Sequence, residues 1–161
     1  MIMVDRIIDY RALPHPQLFA ERYVSANDPV FVGHFPNFKL WPGVFTIEGL
    51  WQSCQLLDFL RQLEEADLVG SLVALQHTLE LRHQVDEPLR QRVLHALEGM
   101  RRPEPPSLKV QVKLLAPIFA GCVINYQARQ LGRETKSWSV QAEVDGRSVA
   151  KGDIACRQLA G

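Results

Sequence analysis

Gly43-Val-Phe-Thr-Ile-Glu-Gly-Leu-Trp-Gln-Ser-Cys-Gln-Leu-Leu-Asp-Phe-Leu-Arg-Gln-Leu-Glu-Glu65 is the stretch from which the fold follows. Val44, Ile47, Leu50, Trp51, Cys54, Leu57, Leu60 and Leu63 recur at steps of three and four residues, the period of an α-helix. Phe45, Leu56 and Phe59 widen the apolar stripe, so the spacing predicts one long helix over 43–65, buried around most of its circumference. Pro42 stands just before it, where a missing N–H does no harm.

Outward from this helix the pattern changes to period two. Residues 108–114 (Leu-Lys-Val-Gln-Val-Lys-Leu), 123–128, 137–144 and 148–156 read as strands, with turns at Gly121, Leu131-Gly132 and Asp145-Gly146. The Asp-Gly pair between two alternating runs is the strongest hairpin signal in the chain. On the other side, an apolar entry at 2–10, a turn around Pro14 and Pro16 and a strand near 19–25 lead into an irregular segment, 27–42, rich in Pro, Gly and Asn. Residues 71–81 read as a further strand and 86–100 as an amphipathic helix (Leu89, Val93, Leu97, Met100), closed by Pro103-Glu-Pro-Pro106. One long buried helix with five or six antiparallel strands is an α+β plan, a sheet wrapped around a helix.

At 161 residues the chain fits a single domain. Lys+Arg and Asp+Glu balance at 18 each, so no net field points to nucleic acid or an anionic membrane, although a local basic patch remains compatible. The opening MIMVDRIIDY breaks its apolar cluster with Asp5 and Arg6; neither a secretory signal nor a membrane span is expected, and the cytoplasm is the default compartment. Cys54, Cys122 and Cys156 lie too far apart for a metal motif or a disulfide framework and read as small buried hydrophobes.

Two residues draw attention chemically. His34 sits in a proline-rich loop, with an ordinary pKa close enough to neutrality for a base. Glu48 sits on the first turns of an almost wholly apolar helix, where burial would raise its pKa and favour the neutral acid. The free N–H groups around Gly43 and Val44, at the positive end of the helix dipole, suit a thioester carbonyl and the enolate derived from it. Taken alone, these residues leave catalysis and structure both open: a loop His is more often structural, and a Glu on an apolar helix is as readily a hydrogen-bonding partner.

The segment Gly33-His-Phe-Pro…Pro42-Gly-Val…Glu48…Gln52, with 14 residues from His34 to Glu48, resembles the active-site motif of FabZ/FabA-type 3-hydroxyacyl-[acyl-carrier-protein] dehydratases. The likeness extends to Met3-Val-Asp-Arg-Ile7, Val24-Ser-Ala-Asn-Asp-Pro29, Lys113-Leu-Leu-Ala-Pro-Ile-Phe-Ala-Gly121 and Val144-Asp-Gly-Arg-Ser-Val-Ala150, and so covers most of the chain in order. The resemblance implies a hot-dog fold. It implies His34 as the base that removes the α-proton, Glu48 as the acid that protonates the leaving 3-hydroxyl, and the N–H of Gly43 or Val44 as the carbonyl donor. Gln52, one turn after Glu48, would orient the carboxyl. The implied product is the trans-2-enoyl thioester from a (3R)-hydroxyacyl group carried on the phosphopantetheine of acyl carrier protein, with no cofactor and no metal. The implied assembly is a homodimer, or a heterodimer with a related hot-dog subunit, in which His and acid meet across the interface.

Several residues depart from the family pattern. Lys39 replaces a proline of the loop and would touch the carrier or face water; Trp41 stands where Met is common, and Cys122 where Asp usually follows the turn glycine. Trp51-Gln52 resembles the FabA branch, whereas Glu48 is the acid of the FabZ branch. The largest departure is an insert at about 71–106, holding His77, His83 and His95, which read as surface residues. This extra helical segment after the central helix favours a specialised polyketide or polyene pathway over housekeeping fatty-acid synthesis. The alternatives are an assisting, non-catalytic subunit of a heteromeric dehydratase and, third, an acyl thioesterase.

Overall fold

A computed structural model of the protein describes residues 1–35, 37–68, 70, 87–99, 107–132 and 135–156. Two compact units divide the chain, one of Met1–Leu57 with Pro106–Gly161 and one of Asp58–Pro105.

The first unit is built on six antiparallel strands: β1 (Arg6–Arg11), β2 (Gln17–Tyr23), β3 (Leu108–Leu114), β4 (Val123–Gln130), β5 (Ser137–Val144) and β6 (Arg147–Cys156). Their order in the sheet is β1-β2-β4-β5-β6-β3. The helix α1 (Gly43–Glu65) begins in this unit at the bounds that the spacing predicts. Alternation drives the packing. Leu18 and Ala20 of β2, Ile124, Tyr126 and Ala128 of β4, and Trp138, Val140 and Ala142 of β5 are all buried. Against them lie Leu50, Cys54 and Leu57 of α1, also fully buried. Trp51 of the helix meets Trp138 of the sheet edge to face, with ring centroids 5.9 Å apart. Gly49 admits Tyr126 at this contact: a Cβ there would come within 2.4 Å of the tyrosine Cζ and hydroxyl. A sheet holding a long helix on one face in this strand order is the hot-dog fold.

The β5–β6 hairpin turns on Asp145 (φ 50°) and Gly146 (φ 74°), the two positive φ angles that a tight hairpin asks of an Asp-Gly pair. The described residues of 27–42 are irregular as expected, apart from a 3-10 turn at Pro29–Val32 and an isolated antiparallel bridge from Leu40 to Phe119. Cys54 is buried, whereas Cys122 and Cys156 are only half-buried, a correction to their reading as buried hydrophobes. The Cys122 thiol donates to the Phe119 carbonyl at 3.1 Å, and partial burial pushes its pKa up.

In the second unit the end of α1 carries Arg61, bonded to Glu65 at 2.6 Å and near Asp58 at 3.6 Å. A second helix, α2 (Glu87–Gly99), occupies the span where the sequence predicts one at 86–100. Leu94 and His95 on it are exposed. The expected strand at 71–81, His77, His83 and the breaker at 103–106 lie outside the described residues.

Candidate active site

The loop carrying His34 is tied down at nearly every residue. Asp28 caps the 3-10 turn by accepting from the Val30 N–H at 3.1 Å, and the His34 N–H closes onto the Val30 carbonyl at 3.1 Å. Phe35 and Phe38 exchange main-chain hydrogen bonds at 3.0 Å each, which folds the loop tip back on itself. Residues 39–41 then run beside 118–120: Trp41 N–H donates to Ile118 O at 2.8 Å, and Ala120 N–H to Lys39 O at 3.2 Å. Lys39 is exposed, yet its ammonium donates to the Ala26 carbonyl at 2.9 Å and fastens the two arms of the loop.

The ring of His34 is oriented by this frame. Its Nδ1 lies 2.9 Å from the Leu40 carbonyl. A carbonyl oxygen only accepts, so Nδ1 carries a proton in this contact, which in a neutral imidazole leaves the lone pair on Nε2. Among the described residues the ring makes no other hydrogen bond; its face stacks on Phe35, with centroids 4.5 Å apart. A neutral imidazole with a fixed tautomer and an open Nε2 is the form a general base requires.

Three residues after Leu40, the N–H groups of Gly43 and Val44 have no acceptor among the described residues; the Pro42 carbonyl takes the N–H of Phe45 at 3.0 Å. They are the unpaired donors that every helix start leaves, and here they sit at the positive end of a 23-residue helix. The same short segment that orients His34 therefore leads into these donors.

Glu48 departs from expectation. Burial was predicted, but in the single chain Glu48 is exposed, on one stripe with exposed Val44 and Gln55. The inner face, Thr46, Gly49, Leu50, Ser53, Cys54 and Leu57, goes to the sheet, and Glu48 lies about half a turn away from it. Its Oε1 accepts from Gln52 Nε2 at 2.8 Å. Gln52 is itself locked, since its Oε1 accepts the Met3 N–H at 2.7 Å and its Nε2 also donates to the Met1 carbonyl at 2.8 Å. The amide cannot flip without losing these bonds, so its N–H side faces Glu48 and leaves Oε2 of the carboxyl open. No hydrogen bond or ion pair joins His34 to Glu48 among the described residues.

Sequence reasoning missed the brace behind the loop. Arg22 of β2 pairs with Asp5 at 2.6 Å and Asp28 at 3.3 Å, and its guanidinium lies 5.9 Å from the Trp41 ring centroid. Asp5 also accepts the Tyr23 N–H at 2.8 Å. A signal was present: Asp5 and Asp28 both fall in the segments that carry the resemblance, outside the motif itself. Nor did the sequence mark Met3, which is fully buried and whose main chain holds Gln52.

No described helix is long and apolar enough to cross a membrane. Among the described residues, no group of three or more His, Cys, Asp or Glu gathers as a metal-holding set.

Comparison with known proteins adds the lineage. A family model described as a FabA-like domain matches residues 1–104. The 3-hydroxyacyl-[acyl-carrier-protein] dehydratase FabZ of Pseudoalteromonas translucida is 27% identical over 158 residues, covering 97% of this chain and 82% of that one. The FabZ of Halorhodospira halophila is 41% identical over a shorter stretch of 59 residues, which spans 37% of each protein. Among solved structures, the dehydratase heterocomplex ApeI:P from Xenorhabdus doucetiae matches with 17% identity and a TM-score of 0.49, over 94% of this chain and 97% of that one. With the family model spanning more than half of its length, the chain belongs to the FabA-like family, alongside the FabZ 3-hydroxyacyl-[acyl-carrier-protein] dehydratases.

Proposed function

We propose that this protein removes water from a (3R)-hydroxyacyl thioester on acyl carrier protein, giving the trans-2-enoyl thioester. The observation that carries the reading is His34 with Nδ1–H committed to Leu40 and Nε2 open, a few residues from unpartnered N–H groups at Gly43 and Val44. Those donors hold the thioester oxygen and stabilise the negative charge that develops on it. His34 Nε2 takes the proton from the α-carbon, and the electron pair moves toward the carbonyl. Glu48, protonated on the open Oε2, gives that proton to the 3-hydroxyl as its C–O bond breaks, and water leaves. The cycle closes when the imidazolium proton is returned to the carboxylate. Gln52 keeps the carboxyl turned for this transfer.

Within one chain no hydrogen bond or ion pair joins His34 to Glu48 among the described residues, and the Val44–Glu48–Gln55 stripe is uncovered. We therefore assign the working unit to a dimer, with His34 of one protomer serving beside Glu48 of the other. A twofold arrangement has a specific consequence when inactive variants are mixed. A hybrid of His34→Ala and Glu48→Gln protomers keeps one site with both groups intact. After subunit exchange the mixture should regain about a quarter of the parent activity, half the dimers being hybrids with one working site each. Enoyl thioester hydration, followed by loss of ultraviolet absorbance, reads this directly; a mixture as inactive as its components places both groups in one chain.

The segment between α1 and β3, which includes α2, supports a specialised polyketide or polyene context, with α2 as a surface for a carrier or partner. The uncovered stripe on α1 fits a related hot-dog subunit as well as a second copy. A pure chain that is folded and inactive, and gains activity on addition of such a subunit, selects the assisting role.

A further inference from the structure

The face of the sheet turned away from α1 is hollowed at its centre. A pocket of about 180 Å³ opens there, lined by Gln17 of β2, Gln127 and Arg129 of β4, and Ser139, Val140 and Gln141 of β5. The strand register explains the gathering. Arg129 is paired with Gln17 on one side and Ser139 on the other, and Gln127 with Gln141. Leu18, Ala128, Val140 and Ala142, their neighbours along the strands, are buried, so alternation turns the five polar side chains outward together. Three adjacent strands span about 10 Å, which brings arginine and glutamine side chains from both flanks within reach of the middle. Arg129 is exposed and the other four are half-buried, and none of their unpartnered polar atoms is closed off from solvent. The cavity holds more than a single water and less than a drug-sized molecule.

The lining favours negative charge. Gln127 Nε2 donates to Gln17 Oε1 at 3.4 Å, which uses the oxygen of Gln17 and leaves its amide N–H groups free. Ser139 adds a hydroxyl, and Arg129 a guanidinium. Arg6, Arg11 and Arg22 on β1 and β2 each pair with a carboxylate, whereas Arg129 has no acidic partner among the described residues. No carboxylate lines the pocket. Of the nearby ones, Glu143 accepts from Gln141 Nε2 at 2.5 Å, and Asp153 is paired with Ser139 from β6. Beyond Gln141 the row continues into Lys151 of β6 and Lys113 of β3, both exposed and directly opposite each other. Like charges facing across strands cost stability, and neither lysine has an acidic partner among the described residues. Arg129, Lys151 and Lys113 thus outweigh Glu143 and Asp153. The donors come from three strands around one hollow. A tetrahedral oxyanion offers an oxygen to each of them, and a guanidinium matches two of its oxygens at once.

We propose that this pocket binds a phosphate-type oxyanion, free or as the head of a phosphate ester, with Arg129 as its ion-pair partner and Ser139 and Gln17 as neutral donors. The pocket lies on the face of the sheet opposite α1, and the proposal stands independently of the dehydratase reading.

Calorimetric titration with sodium phosphate, against sodium chloride at equal ionic strength, tests it. Saturable binding with a Kd on the order of 1 mM is expected, the strength of one ion pair and a few exposed hydrogen bonds. Glycerol 3-phosphate titrated in parallel separates the two sources: an equal Kd assigns the free ion, a tighter one the ester. Affinity should fall about tenfold or more in Arg129→Gln and about threefold in Ser139→Ala. Both variants change outward groups that have no partner among the described residues, so each should melt with the parent, and lost binding is then not lost folding. Arg147→Gln removes another exposed arginine, at the β5–β6 turn, and should bind as the parent does. Heat no greater than that of chloride overturns the proposal. So does phosphate binding that survives Arg129→Gln, or that falls equally in Arg147→Gln.

Discussion

His34 stands in a loop whose main chain, ring and flanking lysine are bonded to the same chain at almost every step, whereas Glu48 stands on an open helix face with one side-chain partner. The Arg22–Asp28 pair and the capped 3-10 turn hold the loop from behind. On the helix, the apolar neighbour Val44 is 64% exposed. One chain therefore fixes His34 in place and leaves Glu48 uncovered. Covering that stripe removes water from Glu48 and strengthens every interaction it makes. In the proposed dimer, a second subunit would cover Glu48 and leave the frame of His34 as it stands.

The largest effects should come from the two groups themselves. His34→Ala and Glu48→Gln should each lower kcat/KM by about 100-fold or more, the usual cost of losing a general acid or base. Similar losses in both would keep the two halves equal in chemistry despite their unequal framing; an unaffected Glu48→Gln would remove the acid assignment. Next comes the brace. Arg22→Ala leaves Asp28 without its ion-pair partner and should cost about 2 kcal/mol, seen as a lower midpoint in urea. Its activity should fall with it if the loop depends on that brace, while a variant that melts normally would show the loop to be self-supporting.

Gln52→Met keeps the side chain's length and removes its amide. It should lower kcat by about tenfold with little change in KM, the loss expected of one charge-assisted hydrogen bond acting on the acid. A fall in stability with kcat intact would make Gln52 a structural tie between the chain's first residues and α1. The smallest effect belongs to Lys39→Ala. Its exposed bond to the Ala26 carbonyl should be worth about 0.5 kcal/mol or less, and a large loss of turnover on carrier-linked substrate but not on a small thioester would reveal a docking role instead.

Much of the fold was legible beforehand because its signals are local. The steps of three and four from Val44 to Leu63 mark α1, and the Asp145-Gly146 pair marks a hairpin whose turn requires two positive φ angles. His34, Gly43 and Glu48 could be singled out because a loop histidine, a helix start and a carboxylate on an apolar helix each carry known chemistry, and the FabA-like resemblance joined them. The brace as a pairing was not legible: Asp5 and Asp28 fall in segments that carry the resemblance, but nothing local joins them to Arg22 until the fold brings the three together.

The sequence by itself determined the span of α1 and the positions of the strands from 108 to 156, and it singled out His34, Glu48 and the helix start at Gly43 as the candidate groups. Only the tertiary structure decided that Glu48 faces outward, that Nδ1 of His34 is spent on Leu40, and that Gln52 is held by Met1 and Met3. The reason is physical. Periodicity orients a helix when one side is apolar and the other polar, but Val44, Ile47 and Trp51 make the Glu48 side nearly as apolar as the face that packs on the sheet. With no contrast to read, the face that packs on the sheet is the one on which Gly49 leaves space for Tyr126.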